Sequence, residues 1–390
     1  MKKKAFRGNV VLPDRIIDRG VILIEKERIA GVYAHQSEIE DRGVEFIDYG
    51  ETLIGPGLID LHLHGALGKD VMDCREESLR QIALHQARCG VTGFLATTVS
   101  ASLESILEAV EIIQKTIKSQ FDQQLPSEIL GVYIEGPFLS KQQKGAQDPD
   151  SIKEMGEIDV DHLIKAVHDL KAIISLAPEV DDNLRYIPRL KKHGFIVAVG
   201  HSNATYEQAL EGFDKGICHA THLFNAMSGF DHREPGVVGA VLDSDDVSAE
   251  LIADGIHVHP AALRLTVARK STDKLCLVTD SLKAAGAGDG TYRWGKMEIE
   301  VRGPRATMKN TDVLAGSVLS LNQAVKNMID WTGISVNQAI NMASLNPARV
   351  LGLEEEIGSI QTGKMANLTI FDKEFVVLET VLRGKTVFKQ

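Results

Sequence analysis

Two histidines, His62 and His64, stand one residue apart at the end of the apolar run Gly-Leu-Ile-Asp-Leu. On an extended strand alternate residues share a face, so both imidazoles would project to the same side. Alone, such a pair suits either a metal site or two packed structural histidines. Four further apolar runs also close on groups that bind metal or move protons. One ends in Glu135 ahead of Gly136-Pro137, and the others end in His201, His222 and Asp280. A carboxylate closing a buried run is costly unless it is paired or bound to a cation. Four histidines and two acids on five run ends therefore point to a metal centre.

Counting ligands refines that centre. Glu135, His201 and His222 supply three protein ligands and leave a position for water, the pattern of a catalytic zinc site. His62 and His64 could hold a second ion, with Glu135 or a hydroxide bridging at the ~3.5–4 Å separation of two-metal hydrolases. Imidazole and carboxylate donors without thiolate suit zinc, iron, manganese or cobalt, so the expected cofactor is one or two divalent ions per chain. His257 closes Ala253-Asp254-Gly255-Ile256 and is placed to reach a substrate. His219 has the wrong parity to share a face with His222 and is expected to point away from the interior.

The elements that must position these groups repeat one pattern: a short β-rich run, a loop, then a segment of helical period. The expected strands are 57–64, 93–99, 129–135, 172–177, 195–201, 217–222, 249–256 and 275–280. Leu103, Ile106, Leu107, Val110 and Ile113 fall on one helical face. Thr205 and Gln208 have capping-box spacing, and Gly90 and Gly194 sit where helices would end. Eight such units imply an α/β fold of the (β/α)8 TIM-like barrel type, whose catalytic groups gather at the strand C-termini. An open doubly wound sheet ranks lower, because no G-x-G-x-x-G turn follows the first strand. Residues 1–54 and 357–390 read instead as short strands and turns, too small for separate cores, and are expected to pair into one small β-sandwich domain. Residues 55–356 would be the barrel, with 288–308 a hairpin inserted after its last strand.

The chain has 390 residues, 44% hydrophobic and 25% charged, with a formal net charge of −11. That balance suits a soluble enzyme and argues against nucleic-acid or anionic-membrane partners. No run approaches the ~18 apolar residues of a membrane span. The basic N-terminus lacks the apolar stretch of a signal peptide. The four cysteines show no CxxC spacing and read as free thiols in a reducing cytoplasm.

In order, Pro-Gly-Leu-Ile-Asp-Leu-His-Leu-His-Gly (56–65), Tyr-Ile-Glu-Gly-Pro-Phe (133–138), Gly-His-Ser-Asn-Ala (200–204), Thr-His-Leu-Phe-Asn-Ala-Met (221–227), Asp-Gly-Ile-His (254–257), Val-Thr-Asp (278–280) and Leu-Ala-Gly-Ser (314–317) resemble the N-acetylglucosamine-6-phosphate deacetylase branch of the amidohydrolase superfamily. Strand four lacks the lysine that other branches of the superfamily carry there.

The resemblance implies hydrolysis of N-acetyl-D-glucosamine 6-phosphate to glucosamine 6-phosphate and acetate. It makes Glu135, His201 and His222 the main metal ligands and Asp280 the acid/base. Asn225 and Ala226 would meet the substrate, as would Ala146 and Gln147. Many members carry histidine at position 147, and glutamine cannot titrate near neutrality. Asp254, His257, Leu314, Ala315 and Gly316 would line the sugar pocket. Arg233 would bind the phosphate, either within the chain or across the interface of a homodimer. The rivals are another enzyme of the superfamily and a non-catalytic relative, which should have lost metal ligands; none is lost here.

Overall fold

The computed structural model describes residues 3–39, 43–180, 182–295 and 297–390. Lys296, inside the expected 288–308 hairpin, and positions 1, 2 and 40–42 of the first terminal segment lie outside these.

Eight strands form one sheet in strictly sequential order: β1 (Leu58–Asp60), β2 (Val91–Thr98), β3 (Glu128–Glu135), β4 (Lys171–Leu176), β5 (Phe195–Val199), β6 (Ile217–Ala220), β7 (Ser248–Leu251) and β8 (Leu275–Leu277). Each pairs in parallel with the next. The sheet closes past the strand ends. His62 accepts at its carbonyl from the Asp280 N–H (2.8 Å), and the Ser281 carbonyl accepts from the His64 N–H (2.8 Å). The Asp60 carboxylate accepts from the Thr279 hydroxyl at 2.6 Å across the same seam. This is a closed (β/α)8 barrel.

Two apolar layers result from the alternation along each strand. Ile59, Leu61, Leu95, Ile173, Ala198 and Cys276 fill the barrel interior. Their neighbours pack outward against the helices, among them α1 (Glu76–Arg88), α2 (Leu103–Ser119) and α3 (Tyr206–Lys215). α2 buries Ile106, Val110 and Ile113 as the spacing predicts. α3 opens on the Thr205–Gln208 capping box. Gly90 and Gly194 follow helix ends at φ +79° and +87°, where a side chain would be strained.

The strands are shorter than the runs suggested. β7 stops at Leu251 rather than 256, and β1, β5, β6 and β8 all end before their candidate ligands. The two chain termini build the small β-sandwich from one seven-stranded sheet, in which Leu368–Phe371 pairs antiparallel with the end of Glu45–Pro56. The expected hairpin after β8 is a three-stranded meander, Gly290–Trp294, Met297–Arg302 and Arg305–Met308. It packs its own small core of Trp294, Ile299, Val301 and Ala306.

Candidate metal centre

Beyond the barrel strands the chain turns sharply at the residues that carry the chemistry. His201, His222 and Asp280 have φ of +48°, +28° and +49°. Such left-handed backbone costs a non-glycine residue about 1–3 kcal/mol and persists where the surroundings enforce it. Here it turns each side chain over the barrel axis instead of continuing the strand alternation.

The result is two trios of ligand atoms. Glu135, His201 and His222 form one; His62, His64 and Asp280 form the other. In the first, Glu135 Oε1 lies 3.1 Å from His201 Nε2 and 3.0 Å from His222 Nε2, and those nitrogens are 3.2 Å apart. In the second, Asp280 Oδ1 lies 3.2 Å from His64 Nε2 and 3.6 Å from His62 Nε2. Glu135 joins the trios, with Oε1 3.6 Å from His62 Nε2 and Oε2 3.4 Å from His64 Nε2. The pairing of Asp280 with the two strand-one histidines is a grouping that spacing did not reveal.

Whether these residues suit a cation is tested by their outer hydrogen bonds. His64 Nδ1 faces the Thr97 carbonyl (3.3 Å) and His201 Nδ1 the Gln143 carbonyl (2.9 Å). A carbonyl only accepts, so both Nδ1 atoms carry a proton and both Nε2 atoms are the ones left to face the centre. His62 Nδ1 faces the Glu250 carboxylate at 3.0 Å, while its Nε2 is buried with no hydrogen-bond partner among the described residues. Ligating histidines have this arrangement. The residues fit a divalent metal.

Electrostatics points the same way. Burial disfavours charge on His62 and His64, but the surrounding carboxylates outweigh it. Glu250, Glu135 and Asp280 push His62 up to about 9, and Asp280 and Glu135 push His64 up to about 10. Burial also raises Glu135, yet the facing histidines hold it well below the usual carboxylate range. Asp280 is lowered for the same reason: burial raises it, and His62 and His64 more than offset this. A concentrated negative field with imidazole donors is what a cation requires.

Two groups behind the centre were not singled out as functional from the sequence. Glu250 is fully buried, accepting from His62, from the His222 N–H (2.9 Å) and from His219 Nε2 (3.1 Å). His219 therefore points into the barrel, not away from it. The cause lies between the two histidines: the strand ends at Ala220 and His222 has φ +28°, so the alternation that set His219 apart from His222 does not extend to His222. Tyr133 adds a further layer, its hydroxyl 2.7 Å from Thr221 Oγ1. A carboxylate on a barrel strand, where both faces are covered, was the available signal for Glu250.

The centre opens into a cavity of about 370 Å³ lined by His64, Glu135, His201, His222 and Asp280. Of the candidate substrate residues, Ala146, Gln147, Asn225, Ala226, His257, Leu314 and Gly316 also line it. Gln147 is committed within the protein: its amide donates to Glu135 Oε2 (2.6 Å) and accepts from the Ser100 N–H (2.8 Å). Asp254 is not in the wall; it accepts from His257 Nδ1 at 2.6 Å and so turns His257 Nε2 outward. Ala315 is buried in the core beside the meander. Gly316, at φ +58°, leaves only 2.7 Å between a would-be Cβ and the Asp280 carbonyl, so the 314–316 backbone can lie against the acid. Arg233 is exposed on the loop after β6 and does not line the cavity.

The chain matches the family model described as "Amidohydrolase family" over residues 53–387. It is 38% identical to N-acetylgalactosamine-6-phosphate deacetylase from Escherichia coli O157:H7, covering 89% of this chain and 91% of that protein. It is 35% identical to N-acetylglucosamine-6-phosphate deacetylase from Bacillus subtilis (strain 168), covering 97% and 95%. Among solved structures, N-acetylglucosamine-6-phosphate deacetylase from Pasteurella multocida superposes over the whole of both chains with a TM-score of 0.93 at 31% identity.

Proposed function

The chain belongs to the amidohydrolase family, and from that premise we propose that it hydrolyses N-acetyl-D-glucosamine 6-phosphate to D-glucosamine 6-phosphate and acetate, in amino-sugar catabolism or cell-wall recycling. The observation that carries this reading is the convergence of two ligand trios on one carboxylate, Glu135, with Asp280 at the edge of the cavity.

Glu135, His201 and His222 would hold the main ion, and His62, His64 and Asp280 a second. Bound there, a divalent metal of the zinc, iron, manganese or cobalt kind supplies Lewis-acid polarisation of the acetyl carbonyl and lowers the pKa of a water molecule. Asp280, ionised because its pKa is lowered, takes a proton from the water that attacks the carbonyl carbon. It then gives that proton to the departing nitrogen, so the C–N bond breaks to a neutral amine rather than an amide anion. His257, held by Asp254, presents Nε2 to the sugar hydroxyls. Asn225 and Ala226 bound the ring beside His222.

Arg233 is assigned to the phosphate of a neighbouring subunit in a homodimer. Its guanidinium has no ion pair among the described residues, and Phe230, three residues earlier, is 66% exposed, as befits a loop that packs against another chain. No helix among the described residues is long and apolar enough to cross a membrane. All four cysteines are free thiols, which suits a cytoplasmic location.

The test is acetate release from a panel containing N-acetylglucosamine 6-phosphate, its C4 epimer N-acetylgalactosamine 6-phosphate, and both sugars without phosphate. N-acetylglucosamine 6-phosphate should give the highest kcat/KM, and chelation should abolish release until divalent metal is restored. Preference for the C4 epimer would reassign the substrate, and full activity in metal-free protein would overturn the mechanism.

A further inference from the structure

The largest apolar side chain in the wall of the catalytic cavity has no part in the reaction above. Trp294, at the end of the meander strand Gly290–Trp294, is 5% exposed and lines that cavity. Its ring stands edge-on to that of His64, with centroids 6.0 Å apart, and the fully buried Leu282 belongs to the same apolar cluster. Nε1 is buried, so the indole offers the cavity no hydrogen-bond donor. Ala146, half-buried against the same cluster, continues this wall. Val313, another apolar member of the lining, is 44% exposed and marks the mouth instead.

A second space lies beyond this wall. Trp294 and Gln147 are the two residues that the lining shares with a neighbouring cavity of about 630 Å³. Gln147 is pinned between Glu135 and the Ser100 N–H. The indole makes no hydrogen bond among the described residues, so the partition on its side rests on bulk alone.

The substrate has one wholly apolar part, the tail of its acyl group. In a planar trans amide that tail and the sugar carbon lie on opposite sides of the C–N bond. With the sugar beside Asn225 and His257, the tail is directed across the metal centre to the His64 side, where Trp294 and Ala146 supply the apolar surface. Resting on the function proposed above, we infer that Trp294 limits the acyl chain that the enzyme accepts to acetyl. Its ring closes the pocket behind a methyl group, and removing the ring joins the pocket to the neighbouring cavity.

The experiment uses the metal-loaded full chain and measures kcat/KM for formation of glucosamine 6-phosphate from its N-acetyl, N-propanoyl and N-butanoyl derivatives. An apolar pocket discriminates by about ten- to two-hundredfold per methylene, so the wild-type butanoyl-to-acetyl ratio should lie below about 1 in 100. Trp294→Ala should raise that ratio by at least about tenfold. Trp294→Leu, which keeps an apolar side chain in the meander core, should raise it by less, and its ratio decides alone if Trp294→Ala does not fold. A purely structural role would lower kcat/KM for every chain length alike. A wild-type enzyme that takes butanoyl as readily as acetyl overturns the inference, as does a ratio unchanged in both variants. Activity on none of the three derivatives in the wild-type protein overturns the functional reading and this inference with it, whereas activity with an unchanged ratio overturns the inference only.

Discussion

Glu250 Oε2 lies 3.0 Å from Nδ1 of His62, and the other oxygen of the same buried carboxylate lies 3.1 Å from Nε2 of His219. One side chain thus fixes which nitrogen of His62 faces the metal centre and is itself fixed from behind. Ligand-orienting partners of this kind are typically worth about 10- to 100-fold in metal affinity. Glu250→Gln should therefore weaken the ion held by His62, His64 and Asp280 while sparing the one held by Glu135, His201 and His222. Metal analysis after dialysis against buffered metal should fall from near two ions per chain towards one. Unchanged content would reduce Glu250 to a packing group.

Asp280→Asn should keep the fold and lose about 10²–10⁴-fold in kcat, because an amide cannot accept a proton and return it. The structure adds a second effect: Asp280 belongs to the His62/His64 trio, so that ion should also bind more weakly. Both are read on one preparation, kcat from acetate release and occupancy from metal analysis. Turnover near wild type would move the acid/base role to His257.

The raised imidazoles fix a sign for pH dependence. In metal-free protein His62 and His64 lie at about 9 and about 10, above the ordinary value of 6.5. Their charge stabilises the fold fully below about 6.5, and that contribution is lost as pH rises through 9 and 10. The melting temperature of metal-free protein should fall between pH 7 and pH 10, and less so when metal is bound. Loading metal at pH 7 should release protons, seen as calorimetric heats that change with the ionisation enthalpy of the buffer. Heats independent of buffer would contradict the charged state assigned to the pair.

Arg233→Ala tests the phosphate assignment. A charge-assisted contact of about 1.5–3 kcal/mol corresponds to roughly ten- to a hundredfold in kcat/KM. That loss should appear for N-acetylglucosamine 6-phosphate and be small for N-acetylglucosamine. Equal losses on both substrates, or none, would remove Arg233 from phosphate binding. Mixing Arg233→Ala chains with Asp280→Asn chains distinguishes the location. If Arg233 serves a neighbouring active site, mixed dimers regain a site with both residues intact.

The ligand types at the ends of apolar runs, the eight βα units and the Thr205–Gln208 cap were all legible in the sequence, because each depends on residues close together along the chain. What the tertiary structure decided was which atoms meet. Alternation along a strand holds only while the backbone stays extended and the register unbroken. Left-handed backbone at His201, His222 and Asp280 replaced alternation with a turn over the barrel axis, which is why His219 and His222 both face inward despite their opposite parity. Between Leu61, which packs inside, and Leu63, which packs outside, the alternation expected to align His62 with His64 is also broken, yet both reach the centre. The 249–256 run was legible as a barrel strand, but not that Glu250, on its Ser248–Leu251 core, faces the interior. There, with no water to solvate it, Glu250 had to find His62 and His219, a pairing set by the closure of the barrel and not by any local pattern.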